Sequence, residues 1–176
     1  MMMTDITAPR TPPGSAPHRL AAVVATLFSG AIFGFFYAWI CSTMWGLDAA
    51  DPRVAIAAMQ AMNNSVRNAV FAPAFFGTPA MLVLAALLCL RAQQRRAAGA
   101  FGAAALVYGI GGLGLTMAVN VPMNEALAGV AVPASEAEAQ AIWQAWSPDW
   151  QAWNILRTLA SGLTLALSTL GLLALR

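Results

Sequence analysis

The chain has 176 residues, of which 60% are hydrophobic and only 9% are charged, with a formal net charge of +2. A soluble globular domain carries about 25% charged residues, so this sequence lacks the charge that a water-exposed surface needs. The basic residues form no stripe with interleaved aromatic side chains, which argues against nucleic acid as a partner. Composition therefore predicts one domain whose solvent is the lipid bilayer.

The chain begins with a tail rich in Pro, Thr and Ala, and we expect residues 1–19 to be a disordered cytoplasmic segment. Residues 20–176 are then a single four-span transmembrane domain. The first apolar stretch, Leu20–Thr43, exceeds the about 7–15 residues of a signal-peptide core, so it is predicted to remain as a helix. Within it, Gly30 and Gly34 have the spacing that lets two helices approach closely in lipid.

The first long loop contains a further predicted helix, Pro52–Asn68. Asp51 is suited to the N-cap of this helix, and proline is favoured at the first helical position. The helix either lies on the membrane surface or leads directly into the second span. The apolar face expected for it consists of Val54, Ala58, Met62 and Val66.

The second and third spans, Val70–Leu90 and Ala97–Val119, are joined by a short arginine-rich link. Pro73 and Pro79 should kink the second span and free backbone carbonyls for other partners. Four glycines between positions 109 and 114 of the third span resemble a nucleotide-binding loop. They lie inside an apolar helix without a preceding strand, so we interpret them as sites of close helix packing and leave open a local distortion of the helix.

Two polar clusters stand at the same predicted end of the bundle. One ends the third span, with the sequence NVPMNE over residues 120–125, where Pro122 is expected to stop the helix. The other, WQAWNILR over residues 150–157, opens the helix of the fourth span, Leu156–Leu175. We predict that this helix starts at Ser147 as N-cap, followed by a proline and an aspartate. Polar side chains at membrane depth are costly and usually functional, so the clusters should line one pocket.

Charge distribution predicts the orientation of the spans. The arginines outside the spans concentrate in the tail, in the link between spans two and three, and at the C-terminus. The positive-inside rule then places both termini in the cytoplasm. All nine Lys and Arg positions are Arg and alanine is abundant, which is typical of a bacterium with a GC-rich genome. We therefore expect an all-α, antiparallel four-helix bundle in a bacterial inner membrane, with short helices in two outer loops.

Several kinds of chemistry lack the residues that they need. The only histidine is His18, in the predicted cytoplasmic tail, so histidine-ligated metals, haem and a Ser-His-Asp set are not expected. Cys41 and Cys89 fall at opposite ends of their spans, too far apart for a disulfide, and we expect both to be buried. We therefore predict no metal and no cofactor bound through such residues. A cofactor held only by packing is left open.

The groups that remain are amides, indoles, one guanidinium and one or two carboxylates. Arg157 follows Trp150 and Asn154 at helical spacing, which puts the three on one face. Arg157 could reach phosphate headgroups from a helix end, or it could lie inside the bundle and bind an oxyanion. The asparagines could line the same pocket or cap helix ends. The six tryptophans could form an interfacial belt or wall that pocket.

From about Leu20 to Leu175 the order of these features resembles the anthrone-oxygenase-like family of small membrane proteins. The resemblance rests on the segments Gly30-x-x-x-Gly34-Phe35-Phe36-Tyr37-Ala38, Met59-Gln60-Ala61-Met62-Asn63, Thr116-x-x-x-Asn120-Val121-Pro122-Met123-Asn124 and Trp150-x-x-Trp153-Asn154-x-x-Arg157. It implies a four-helix membrane protein that oxygenates an anthrone or a similar flat phenolic or quinone-like molecule with O₂. An anthrone's anion can pass an electron to O₂ directly, so the resemblance is compatible with a protein that has no cofactor.

The expected site follows from that chemistry, which needs a base, donors for an oxyanion and aromatic walls. The expected catalytic residues are Arg157, Asn154, Asn120 and Asn124 as donors and Glu125 as a base. The expected substrate-binding residues are Trp150, Trp153, Tyr37, Met62, Asn63 and Thr116. Two alternatives use other functions of the same bundle: a non-catalytic binder or carrier of a hydrophobic small molecule or lipid, and an accessory membrane subunit. A homo-oligomer is compatible with either.

Overall fold

A computed structural model describes residues 17–176 of the protein. The disorder expected for the tail concerns mainly residues 1–16, which lie outside this range. The first helix already begins at Pro17, so His18 and Arg19 belong to it.

Five helices account for most of the described chain, and no strand occurs within residues 17–176. Four of them are long and apolar enough to cross a membrane, which confirms the predicted all-α membrane bundle. The helices are α1 (Pro17–Asp48), α2 (Pro52–Ser65), α3 (Phe71–Arg91), α4 (Arg95–Ala128) and α5 (Glu136–Leu173).

The four long helices form a square in which α1 and α4 each pack against both α3 and α5. Neighbours run antiparallel, as short connections require. Arg19 Nη2 donates to the carbonyl oxygen of Arg176 over 2.6 Å, so the two described chain ends meet. We call this the proximal end. The opposite, distal end carries α2 and the connection between α4 and α5.

Small residues hold the proximal half together. Ala22, Ala97 and Ala104 are fully buried, and a Cβ added to Gly171 would lie 2.9 Å from the ring of Phe101. Backbones can approach this closely only where side chains are small. The expected approach at Gly34 does not occur, because nothing lies within 4 Å of the position of its Cβ.

The distal half is tied by side-chain hydrogen bonds. Asp48 accepts from the indole of Trp143 at 2.9 Å, and also from Ser147 and Gln151, so one carboxylate joins the end of α1 to α5. Gln60 of α2 donates to the carbonyl of Leu127 in the last turn of α4 and to that of Val130 just after it. Polar bonds thus replace close backbone packing at this end.

The helix α2 starts as predicted, since Asp51 accepts from the backbone N–H of Arg53. It ends at Ser65, three residues earlier than expected. The predicted apolar face is wrong: Ala55, Ile56 and Met59 are fully buried, whereas Val54 is 58% exposed. The helix packs on α5 and on the distal part of α4, and this contact selects its buried face.

The helix α4 contains two segments that are wider than an α-helix. Tyr108–Gly114 and Thr116–Asn120 are π-helical, with hydrogen bonds one residue longer than in an α-helix. Pro122 does not stop the helix as predicted, because it falls in the first turn of the α-helical segment Val121–Ala128, where a proline is tolerated. Pro79 frees the Phe75 carbonyl, which accepts from Tyr108 Oη at 3.0 Å, as expected for a proline inside a span.

The helix α5 is continuous over Glu136–Leu173, so the predicted start at Ser147 is wrong. Its N-cap is Ser135, whose hydroxyl accepts from the Glu138 N–H. Pro148 lies inside the helix, and Ser147 uses its hydroxyl to bind Asp48 in place of capping. The expectation for the cysteines is half wrong, because Cys89 is buried and Cys41 is exposed, and both are free.

Candidate functional site

A cavity of about 1030 Å³ lies in the distal half, between the four long helices and beneath the link from α2 to α3. Its walls are mainly aromatic and aliphatic, and only a few polar side chains reach it. The aromatic walls come from Phe35, Phe36, Trp39, Phe71, Phe75, Phe76 and Trp150. Pockets for small ligands in proteins occupy about 300–1,000 Å³, so three fused rings would fit here.

Arg157, the one arginine of α5, lines this cavity. Its residue is 5% exposed, and its guanidinium carbon lies 4.4 Å from the ring centroid of Phe36 and 5.1 Å from that of Trp150. The two rings stabilise the cation through their π faces. The side chain therefore lies inside the bundle and does not extend to the headgroups.

Hydrogen bonding orients this guanidinium and leaves part of it available. Arg157 Nε donates to Asn154 Oδ1 at 2.8 Å, and Asn154 Nδ2 makes a long bond to the Phe36 carbonyl at 3.4 Å. Among residues 17–176, no carboxylate forms an ion pair with Arg157. Its two terminal nitrogens have no protein partner there either, so they are the donors that a ligand in the cavity would meet.

Asn124 stands beside this group on α4. The indole N–H of Trp150 donates to Asn124 Oδ1 at 2.8 Å, which fixes the amide, and Asn124 is part of the cavity lining. The stacked rings of Trp146 and Trp150, with centroids 5.7 Å apart, support the indole from behind. The two polar clusters predicted to meet therefore do so across α4 and α5.

Two buried amides have hydrogen-bonding atoms without a partner. Asn120 is fully buried, yet neither its Nδ2 nor its Oδ1 is bonded within the described chain. Asn63, which lines the cavity, has an unpartnered Nδ2. Buried polar groups are almost always paired in proteins, so each of these amides has capacity for water or a ligand.

The carboxylate of Glu125 lies at the cavity rim and pairs with Arg67 at 3.3 Å. Both side chains are about 60% exposed, so the attraction between them is strongly screened by water. The pair joins the link after α2 to the distal part of α4. Glu125 is thus accessible to solvent and to the cavity.

Most of the expected site residues come together. The cavity lining includes Trp150, Arg157, Asn124, Glu125, Met62, Asn63 and Thr116, and Asn154 supports it from α5. Three further expected residues do not line it: Asn120 is fully buried beside the lining residues of α4, whereas Tyr37 and Trp153 are 50% and 39% exposed on the outer surface of the bundle. The sequence analysis missed Phe36, Phe71 and Phe75, although the spacing of Phe71 and Phe75 four residues apart places them on one helix face.

Metal ligands do not cluster in the described part of the chain. No three His, Cys, Asp or Glu side chains of residues 17–176 come close enough to hold an ion. Apart from the single carboxylate of Glu125, the polar lining offers amides, hydroxyls and the guanidinium groups of Arg67 and Arg157, which suit an anionic oxygen better than a metal ion.

Comparison with known proteins gives one match. The family model described as anthrone oxygenase matches residues 59–167, which is more than half of the chain. The matched region runs from the end of α2 into α5 and includes Asn63, Asn124 and Arg157. No curated protein and no solved structure matches the chain.

Proposed function

Because the chain belongs to the anthrone oxygenase family, we propose that it is a membrane-embedded oxygenase that uses O₂ to oxidise a flat phenolic, anthrone-like molecule. The observation that carries this proposal is Arg157, a buried cation without a carboxylate partner among residues 17–176, at the wall of an aromatic cavity. A buried charge is costly unless something compensates it. An anionic ligand in the cavity would supply the missing charge.

The reaction needs only deprotonation and O₂. An anthrone loses a proton from its central CH₂ and becomes an aromatic phenolate. This anion transfers one electron to O₂, and the resulting radical and superoxide combine at the central carbon as a hydroperoxide after protonation. Loss of water from the hydroperoxide breaks the O–O bond and leaves the quinone carbonyl. Overall, one anthrone and one O₂ give one anthraquinone and one water, without an external reductant or a cofactor.

In this proposal Arg157 donates from its terminal nitrogens to the phenolate oxygen and so stabilises the anion that reacts with O₂. Asn154 positions Arg157 through the 2.8 Å bond to its Nε. Phe36 and Trp150 hold the guanidinium between them and give the substrate rings a flat surface. Asn124 and Asn63 add donors, and Glu125 takes the proton. Asn120 lies outside the cavity lining, one helical turn before Asn124, and its two unpartnered amide atoms bind a water or an oxygen species there.

The test is turnover by purified protein in nanodiscs. We expect O₂ uptake with a matching rise in anthraquinone absorbance when an anthrone is added, and the same rate after treatment with a metal chelator. Arg157→Ala should lower kcat/KM by about 10²–10³, the size of an oxyanion-stabilising donor. Arg157→Lys should recover only part of this, because lysine cannot hold two parallel donors or stack between two rings.

The matched control is Arg96→Ala, which removes an exposed arginine at the proximal end of the same bundle. It should turn over like the wild type. Equal activity in the Arg157→Ala variant would contradict the site. Tight binding of the anthrone without any O₂ uptake would replace the oxygenase by a binder or carrier, and an unoccupied cavity in a stable complex with another membrane protein would favour an accessory subunit.

We further propose that the protein lies in a bacterial inner membrane with both termini in the cytoplasm. Arg19, Arg91, Arg95, Arg96 and Arg176 all stand at the proximal end, which supports this orientation by the positive-inside rule. The cavity then lies in the outer half of the bilayer. Protease accessibility of a C-terminal tag in spheroplasts and in inverted vesicles distinguishes the two orientations.

A further inference from the structure

The cavity has an opening on its side, between α3 and α4. The proximal segments of α4, up to Gly114, pack along α3, but Thr116–Asn120 and Val121–Ala128 pack on α5 and have no comparable contact with α3. Where the two helices separate, Phe76 and Met117 line the cavity and are also 54% and 48% exposed. A residue that lines a cavity and also faces outward marks its edge.

This opening has a defined frame, which we call the side window. Ala72 and Phe76 of α3 form one side, and Met117 and Val121 of α4 form the other. The Tyr108–Phe75 hydrogen bond closes the window at its proximal edge. The ion pair between Arg67 and Glu125 crosses it at the distal edge.

Helix length places the window at lipid depth. Phe76 lies fifteen residues from Arg91 along α3, which is roughly 23 Å of helix at 1.5 Å per residue. The hydrocarbon core of a bilayer is about 30 Å thick, and Arg91 marks its proximal boundary. Phe76 therefore faces acyl chains, whereas the charged pair at the distal edge reaches the headgroup region.

We propose that the side window is the route by which an apolar aromatic molecule dissolved in the bilayer reaches Arg157. The protein would take its ligand from the lipid phase, as suits a molecule that partitions out of water. The identity of the ligand rests on the proposed function, but the route does not require turnover. The route is therefore tested by binding rates alone.

The experiment uses 9,10-anthraquinone, an uncharged ring system that does not consume O₂, with full-length protein in liposomes. Binding is followed by quenching of tryptophan fluorescence, and release by its recovery after mixing with excess empty liposomes. Ala72→Phe narrows the window and should slow association and release by about tenfold each, with a smaller change in Kd. Phe76→Ala widens the window and should accelerate both rates.

Two controls lie on the same helix outside the cavity lining: one repeats the alanine-to-phenylalanine substitution, and the other truncates a large apolar side chain to alanine. Ala80→Phe and Leu87→Ala lie at exposed positions of α3 and should leave both rates at the wild-type value. Rates that are unchanged in Ala72→Phe and Phe76→Ala would overturn the window, as would equal changes in the controls. A wild-type protein that binds no anthraquinone would overturn it too. The expected rate changes in Ala72→Phe and Phe76→Ala, together with no oxidation of an anthrone by the wild type, would instead refute the oxygenase and leave the window supported.

Discussion

The proximal and distal halves of the bundle are packed in opposite ways. In the proximal half, alanines and glycines bring the helices together, so that Phe101 is fully buried against Gly171. In the distal half, aromatic side chains and hydrogen bonds hold the helices apart around a cavity of about 1030 Å³. A stable proximal half allows the distal half to keep a void and a buried cation, both of which cost stability.

The largest expected effect is a loss of turnover, from a substitution in the distal half that should also increase stability. In the proposed oxygenase reaction, Arg157→Met should lower turnover by about 10²–10³, because the oxyanion would lose its donors. The same change should raise the free energy of unfolding by about 1 kcal/mol, because an apolar side chain of similar length replaces a buried cation that has no carboxylate partner among residues 17–176. Thermal unfolding and O₂ uptake on one preparation measure both quantities. A large loss of stability would show that Arg157 is mainly structural.

A substitution in the proximal half should instead lower stability and leave turnover unchanged. Gly171→Ala places a Cβ 2.9 Å from the buried Phe101 ring, so we expect a loss of about 1–3 kcal/mol in stability. Turnover at saturating substrate should remain unchanged in the protein that is still folded. Gly102→Ala is the control, since nothing lies within 4 Å of that Cβ position. Equal stability of the two variants would contradict the close packing described for this half.

One hydrogen bond, from Tyr108 Oη to the Phe75 carbonyl, joins α4 to α3 at the boundary between the two halves. Tyr108→Phe leaves the Phe75 carbonyl without its donor, which should cost about 1 kcal/mol. In a Pro79→Ala background the carbonyl regains a helical N–H, so the same substitution should cost much less. A double-mutant cycle by chemical denaturation measures this coupling. Additive effects would mean that Tyr108 does not compensate for the proline.

The smallest expected effect concerns acid stability of the distal connection. Hydrogen bonds from Arg53 lower the pKa of Asp51 from its usual 3.8 to about 2. Because the folded-state pKa is depressed, the contribution of this N-cap is fully present above about pH 4 and is lost as pH falls through about 2. Asp51→Asn keeps a capping acceptor but removes this pH dependence. Helix content between pH 6 and 2, compared in the two proteins, tests the difference.

The sequence was sufficient to predict the spans and the meeting of the two polar clusters, because both depend on composition and on chain order. Asn124, Arg157 and Trp150 stand at the depth expected for them, and lipid leaves few other places for such residues. The four-helix fold follows from the same argument.

The inward-facing side of each helix and its local irregularities were harder to predict. Tyr37 was expected in the pocket, but Phe36 lies there instead. Adjacent residues of a helix point about 100° apart, and only packing against the other helices determines which of them points inward. Ser147 and Pro148 carry the residue types of a helix start, but Asp48 binds the serine hydroxyl and the helix passes through. The four glycines between positions 109 and 114 left open a local distortion, but a single sequence does not specify the π-helical form that the structure shows over Tyr108–Gly114.

The two wide turns in α4 have a consequence for comparison between relatives. Each behaves as a residue inserted without a loop, because the helix goes on while every later side chain is rotated by about 100°. The direction of Asn124 toward Trp150 therefore depends on the number of residues between Tyr108 and Asn120 as much as on their identity. A relative that lacks one residue in this interval would keep its span but turn Asn124 away from the cavity. Alignment gaps inside this helix thus distinguish relatives that share the site from relatives that share only the fold.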